Sequence, residues 1–126
     1  DVYKRQMQQF AGKHFSCTFD FANFIQCGQD PLEAYEMLSP YISYVHVKDA
    51  FFATREVVPA GTGDGHLPEI FQKLDASGYH GFLSLEPHLA NFSGLAALEH
   101  NAAIRTENNT EKAFCVAWEA FQKVLG

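Results

Sequence analysis

The chain lacks the features that mark membrane-spanning, nucleic-acid-binding or disulfide-bonded proteins. Its 126 residues contain 9 Lys and Arg against 15 Asp and Glu, which gives a net charge of −6, and there is no basic run. An acidic balance argues against nucleic acid or an anionic membrane as a partner. No apolar stretch approaches the length of a membrane span, and the N-terminus has no signal-peptide pattern.

Cysteine is scarce and scattered. Cys17, Cys27 and Cys115 form no CxxC spacing and leave an odd number, so we predict a reducing, cytoplasmic compartment. Apolar residues, by contrast, are plentiful. They make up 47% of the chain, which is enough to build the core of one domain.

The chain also lacks an initiator Met. Residues 1–6, DVYKRQ, resemble the translated end of a transposase adapter used in sequencing libraries. We predict that residues 1–6 are an artefact and that residues 7–126 are the C-terminal half of a longer domain. An ordinary polar N-terminus is the alternative.

Three short segments have the alternation typical of β-strands, and each ends in a residue that can bind a metal ion. They are HFSCTFD at 14–20, SYVHVK at 43–48 and FLSLE at 82–86. Because side chains alternate across a strand, Asp20, His46 and Glu86 each lie on the more polar face of their segment. Carboxylate and imidazole groups are ligands of divalent cations, so these three residues are a candidate metal site.

Helical patterns alternate with these strands. Asp30 and Pro31 have the residue types of a helix start, and Pro40 ends that pattern. Pro68 opens a second helix, which stops near Gly78. The remaining segments are predicted to be loops at 21–29, 49–67 and 101–110 and a last helix at about 111–125.

The alternation of strands and helices indicates parallel βα units with right-handed crossovers. An open doubly wound sheet and part of a (β/α)8 barrel both fit this pattern. The polar inner faces favour the barrel, because an open sheet that is covered on both sides needs apolar residues on both faces. A whole barrel takes about 250 residues. We therefore predict an α/β fold, the C-terminal part of a TIM barrel with about three βα units.

The stretch from Asp20 to His88 resembles the C-terminal half of the sugar phosphate isomerase/epimerase family, the xylose isomerase-like TIM barrels. The matching segments are FDFANF at 19–24, DPLEAYEMLSPYISYVHVKDA at 30–50, VVPAGTGDG at 57–65 and GYHGFLSLEPH at 78–88. The resemblance implies one divalent ion, first of all Mn²⁺, with Mg²⁺, Co²⁺ or Zn²⁺ as alternatives. Its ligands would be Asp20, His46, Glu86 and a Glu from an earlier strand that has no counterpart in this chain.

Lys48 is predicted to be a catalytic residue together with Glu86. It lies on the same face as His46, where it could orient a substrate oxygen or pair with a carboxylate of Asp20, Glu86 or Asp49. Asp49 itself is predicted to be a turn residue or to fix His46 or Lys48.

Asn23, His66 and His88 are the candidate substrate-binding residues. Some members of the family carry His where this chain has Asn23, so we predict only a hydrogen bond to substrate at that position. His66 and His88 could reach the rim of the pocket. The loop at 61–65, GTGDG, is predicted to be a tight loop that needs positive φ rather than a phosphate site, because it lacks the Lys-Ser/Thr ending of a nucleotide loop.

The predicted function is a metal-dependent isomerase or epimerase that acts on a small sugar or polyol. Glu86 would transfer a proton at the substrate carbon through an enediolate, and a second Glu upstream would act on the opposite face. A dehydratase of an inosose-like keto-polyol would begin with the same step. A nuclease of the endonuclease IV type is disfavoured by Asn23 and by the acidic balance.

A catalytically inactive half-barrel is the remaining alternative for the chain by itself. Its exposed strand edges and incomplete core would make it unstable or self-associating. The oligomeric state of the complete protein is left open, and a homo-oligomer is compatible with the sequence.

Overall fold

The computed structural model describes residues 2–10, 12, 14–89 and 109–126. Within them, helices alternate with short strands. The elements are α1 (Val2–Phe10), β1 (Cys17–Asp20), α2 (Phe21–Gln26), α3 (Pro31–Leu38), a 3₁₀ turn (Ser39–Tyr41), β2 (Ile42–Val47), β3 (Asp49–Ala50), β4 (Val57–Val58), α4 (Leu67–Ala76), β5 (Phe82–Leu85) and α5 (Asn109–Leu125).

Strands β1, β2 and β5 form a parallel sheet in which β2 is the central strand. The register aligns Asp20 with His46 and His46 with Ser84. The carboxyl ends of the three strands therefore lie along one edge of the sheet. This arrangement confirms the predicted parallel α/β organisation.

One face of the sheet is covered by helices. Phe19, Val45 and Val47 point to this face and are fully buried. They belong to one apolar cluster with Tyr35 of α3 and Ile70 of α4. Each such side chain contributes about 1.5–3 kcal/mol when it leaves water, so this cluster holds α3 and α4 against the strands.

The opposite face carries polar and aromatic side chains. Thr18, Tyr44 and Phe82 form one row across the three strands. The rings of Tyr44 and Phe82 lie 5.9 Å apart, and Phe82 is 75% exposed. Such a face lies inside a closed (β/α)8 barrel, where rows of side chains from neighbouring strands fill the centre.

The helix boundaries follow the sequence signals. Asp30 caps α3, since its Oδ1 accepts a hydrogen bond from the backbone N–H of Glu33 at 3.0 Å, and Pro31 occupies the first turn. Gly78 follows the end of α4 with φ of +72°, a left-handed conformation suited to glycine. The last predicted helix is α5. These three predictions are confirmed.

The prediction of a loop at 21–29 was wrong, because Phe21–Gln26 form α2. Asp20 caps this helix through a hydrogen bond from the Asn23 N–H to its Oδ1 at 2.9 Å. Phe21 and Ile25 are fully buried, and their packing stabilises a helix that is too short to show a clear periodic pattern.

The segment at 49–67 is not wholly irregular either. Asp49–Ala50 and Val57–Val58 pair as antiparallel strands, and Phe51 N donates to Glu56 O at 3.0 Å. The first strand is shorter than predicted, since it begins at Cys17 rather than at His14. The predicted loop at 101–110 lies mainly outside the described residues.

In the described part of the chain, no helix has both the length and the apolar character needed to cross a lipid bilayer. The three cysteines are free thiols. Residues 2–6 belong to α1. Their origin from an adapter and the compartment of the protein both stay predictions.

Candidate metal centre

The structure brings Asp20, His46 and Glu86 together at the carboxyl edge of the sheet. One possible ligand atom from each residue lies within 4.8 Å of the other two. His46 Nδ1 is 3.6 Å from Asp20 Oδ2 and 3.3 Å from Glu86 Oε2. Two ligands of one ion, each at about 2.0–2.2 Å, are separated by about 3–3.5 Å, so a single divalent ion could contact all three residues.

Backbone pairing sets this geometry. Asp20 is the last residue of β1 and lies beside His46 of β2. Glu86 follows β5, and its N–H still donates to Val47 O at 3.1 Å, which continues the ladder by one residue. The three side chains therefore project from neighbouring strand ends, as their alternation in the sequence predicts.

The carboxylate of Asp20 is suited to a cation. Its Oδ1 accepts the N–H of Asn23. Its Oδ2 is the buried side-chain polar atom that lacks a hydrogen bond in the described parts of the chain. A buried oxygen without a donor is costly, and coordination of an ion would remove that cost. The residues present thus fit a divalent metal ion.

The pKa values of Asp20 and Glu86 are shifted in opposite directions. Burial raises the pKa of Asp20, while the N–H of Asn23 and the ammonium of Lys48 act in the opposite direction. Burial also acts to raise the pKa of Glu86, but the charges of Lys48, His46 and His88 outweigh it and leave that pKa below its ordinary value. Burial therefore disfavours the ionised form of Asp20, whereas the neighbouring positive charges favour the ionised form of Glu86.

Lys48 lies inside this group of charges. Its side chain is only 6% exposed, and its Nζ is 3.8 Å from Asp20 Oδ2 and 3.6 Å from Glu86 Oε2. The Nζ also donates to Asn23 Oδ1 at 3.3 Å. Two of the predicted site residues, Lys48 and Asn23, are thus brought to the same place as Asp20, His46 and Glu86.

The two other candidate histidines lie in different places. His88 Nε2 is 3.5 Å from Glu86 Oε1 at the exposed side of the site. His66 precedes α4 and pairs with Asp30 at the start of α3, with 3.6 Å between Nε2 and Oδ2. The structure brings His88 to the candidate ligands Asp20, His46 and Glu86, and it brings His66 to Asp30 instead. Substrate contacts for both histidines stay predictions.

The comparison with known proteins decides the family. The sequence profile of the xylose isomerase-like TIM barrel family matches residues 4–109. The chain belongs to this family. The resemblance found in the sequence is thereby confirmed, and so is the prediction of part of a TIM barrel.

Two similar proteins are each longer than this chain. A crystal structure of a xylose isomerase domain protein from Planctomyces limnophilus matches with a TM-score of 0.70 and 23% identity, which shows the common fold. The match covers 98% of this chain and 42% of that one. The uncharacterized protein YihM of Escherichia coli (strain K12) is 40% identical over 48 residues, which are 38% of this chain and 14% of YihM. The chain therefore spans less than half of either relative.

Asp49 has a role that the sequence did not reveal. Its carboxylate is fully buried and accepts four backbone hydrogen bonds, each of 2.9 Å. The donors belong to Ala50, Gly61, Gly63 and Gly65. Burial raises the pKa of this carboxyl group, and the four N–H groups act to lower it. Of the two roles predicted for Asp49, the hydrogen bonds do not show the one that fixes His46 or Lys48, since the carboxylate binds backbone amides of the loop.

The glycines of this loop let the backbone approach the carboxylate. A Cβ atom on Gly63 would lie 2.6 Å from Asp49 Oδ1, and one on Gly65 would lie at the same distance. Only Gly61, with φ of +80°, has the predicted left-handed conformation among the three. Because the amides of all three glycines donate to Asp49, a substrate phosphate would have to displace that carboxylate to use them. An Asp followed by glycines at two-residue spacing is the signal that could have revealed this arrangement.

Proposed function

We propose that the protein containing this chain is a divalent-metal-dependent isomerase or epimerase that moves a proton at a carbon next to the carbonyl group of a small sugar. One observation supports this most strongly. The buried, unbonded Oδ2 of Asp20 faces His46 and Glu86, with the ammonium of Lys48 beside them. Membership of the xylose isomerase-like family, which includes sugar isomerases and epimerases, agrees with it.

The ion itself would be held by Asp20, His46 and Glu86, and by a carboxylate from an earlier strand of the complete barrel. Two carboxylates and one imidazole suit a hard or borderline cation, and the family resemblance makes Mn²⁺ the first candidate. When bound, it would supply positive charge beside two adjacent oxygens of the substrate.

Glu86 is the proposed base. Its pKa lies below the ordinary value, so the carboxylate is ionised at neutral pH and can accept a proton from the substrate carbon. His88, 3.5 Å from Glu86 Oε1, orients that carboxylate from the exposed side. A second carboxylate on the opposite face of the substrate would return the proton.

Lys48 is the proposed electrostatic partner of this step. Negative charge develops on the substrate oxygens as the proton leaves carbon. An ammonium group that is already buried beside Glu86 can stabilise that charge without further reorganisation. Asn23 is proposed to lie beside the same oxygens.

The exchange of a carbon-bound hydrogen of the substrate for deuterium from the solvent tests this function directly. The full-length protein, loaded with Mn²⁺, is incubated in deuterium oxide with a panel of aldoses, ketoses, their phosphates and inosose-like keto-polyols. We expect deuterium at the carbon next to the carbonyl group of one substrate, together with its isomer or epimer, as measured by proton NMR. Treatment with a chelator should stop the exchange.

Two other results of that experiment have clear meanings. Formation of an unsaturated diketone with an ultraviolet band would identify a dehydratase that uses the same first step. A fully metal-loaded protein that exchanges no proton with any sugar or keto-polyol in the panel would contradict the proposal.

A further inference from the structure

The ammonium group of Lys48 is closest to a neutral acceptor rather than to a carboxylate. Its Nζ is 3.3 Å from Asn23 Oδ1, compared with 3.6 Å from Glu86 Oε2 and 3.8 Å from Asp20 Oδ2. Of these three distances, the first alone is compatible with a hydrogen bond. The ammonium thus contacts an uncharged amide at hydrogen-bond distance and the two carboxylates at ion-pair distance.

The backbone fixes Asn23 opposite Lys48. The N–H of Asn23 donates to Asp20 Oδ1 at 2.9 Å, which ties the first turn of α2 to the end of β1. The adjacent Ala22 donates its N–H to the carbonyl oxygen of Lys48 at 3.1 Å. Ala22 is fully buried and packs with Ile25 and Ala50. The backbone of Asn23 is thus anchored beside Lys48, and its exposed side chain places the amide oxygen 3.3 Å from the ammonium.

Lys48 has few alternatives to this contact. Its side chain is 6% exposed, and a buried ammonium needs a partner. Without the amide oxygen, the acceptors near the ammonium among the described residues include Asp20 Oδ2 and Glu86 Oε2. These are oxygens that a metal ion would use. An ammonium that moves onto them would compete with the ion for the same charges.

We propose that Asn23 is a positioning residue that holds the ammonium of Lys48 away from the metal-binding oxygens, so that the cation and Lys48 occupy the site together. The neutral amide of Asn23 accepts a hydrogen bond from the ammonium without placing a third carboxylate beside Asp20 and Glu86. This inference rests on the proposed metal site but not on the reaction. Asn23 would affect the affinity for the metal ion only by positioning Lys48.

A double-mutant cycle tests this inference. Mn²⁺ affinity is measured by electron paramagnetic resonance for the full-length protein and for the variants Asn23→Leu, Lys48→Met and the double variant. Leu has the same number of side-chain heavy atoms as Asn and removes the acceptor oxygen. We expect Asn23→Leu to weaken Mn²⁺ binding about tenfold when Lys48 is present, the loss of one hydrogen bond to a charged group. In the Lys48→Met background the same change should alter affinity by less than about twofold.

Gln26→Leu is the matched control, since Gln26 is an exposed residue of the same helix. It should leave Mn²⁺ affinity unchanged. Equal weakening by Asn23→Leu in both backgrounds would overturn the inference, because Asn23 would then act on the ion or the fold directly. No weakening in either background would overturn it as well.

The same cycle separates this inference from the proposed function. If Mn²⁺ binds and the coupling is present but no sugar exchanges a proton, the reaction is wrong and the role of Asn23 stands. If proton exchange occurs but Asn23 and Lys48 are not coupled, the proposed reaction stands and the role of Asn23 is wrong. Absence of Mn²⁺ binding would overturn both.

Discussion

Glu86→Gln is expected to lower the rate of proton exchange by at least about 1,000-fold. General base catalysis contributes about 10²–10⁴-fold, and the amide of Gln can neither accept the proton nor bind the cation as strongly as a carboxylate. The fold should be retained, because the side chain of Glu86 is 35% exposed and its backbone N–H still pairs with Val47. The measurement is the exchange rate of the Mn²⁺-loaded, full-length protein, with thermal unfolding as the check on the fold.

The matched control for this variant is Glu69→Gln. Glu69 is an exposed residue in the first turn of α4. Its substitution removes the same charge outside the candidate ligands Asp20, His46 and Glu86, so it should leave the rate of proton exchange unchanged. If the protein with Glu86→Gln retained the wild-type rate, the assignment of Glu86 as the base would be wrong.

Asp49→Asn is expected to lower the free energy of unfolding by about 2–5 kcal/mol. The carboxylate uses Oδ1 for Ala50 and Gly65 and Oδ2 for Gly61 and Gly63. An Asn side chain has one acceptor oxygen, so its NH₂ group would face two N–H donors that lose their partner. Each buried donor left without a partner costs about 1–3 kcal/mol. Urea-induced unfolding of the full-length protein measures this loss.

Asp75→Asn is the matched control for this effect. Asp75 is exposed near the end of α4, and its substitution should change stability by less than about 0.5 kcal/mol. Amide hydrogen exchange gives a local measurement of the same prediction. The N–H groups of Gly61 and Gly63 should exchange faster in the protein with Asp49→Asn. Unchanged stability together with unchanged exchange would show that these hydrogen bonds contribute nothing.

The arrangement of the three candidate metal ligands could be predicted from the sequence for a simple reason. Strand alternation has a period of two, so the positions of Asp20, His46 and Glu86 within their segments determine which face they share. Parallel strands then bring their carboxyl ends to one edge. Two local rules together predict a contact between residues that are far apart in the chain.

Other features depend on contacts that no local pattern encodes. Helix α2 has six residues, and its stability comes from the Asp20 cap and from the burial of Phe21 and Ile25 rather than from propensity. The role of Asp49 depends on the path of a loop that returns 12 to 16 residues later. The position of His66 follows from the same loop, which ends beside Asp30 rather than beside the metal-binding group.

A titration with Mn²⁺ tests the metal centre most directly. The full-length protein is compared with the variants Asp20→Asn and Asp30→Asn. Both aspartates cap a helix through Oδ1, and only Asp20 has its second oxygen among the metal-binding atoms. We expect one Mn²⁺ per protein and unchanged affinity for Asp30→Asn. Asp20→Asn should lower the affinity by at least about 10- to 100-fold, the range typical for loss of a group that only supports a ligand. Equal affinities in all three proteins would contradict a metal site at Asp20, His46 and Glu86.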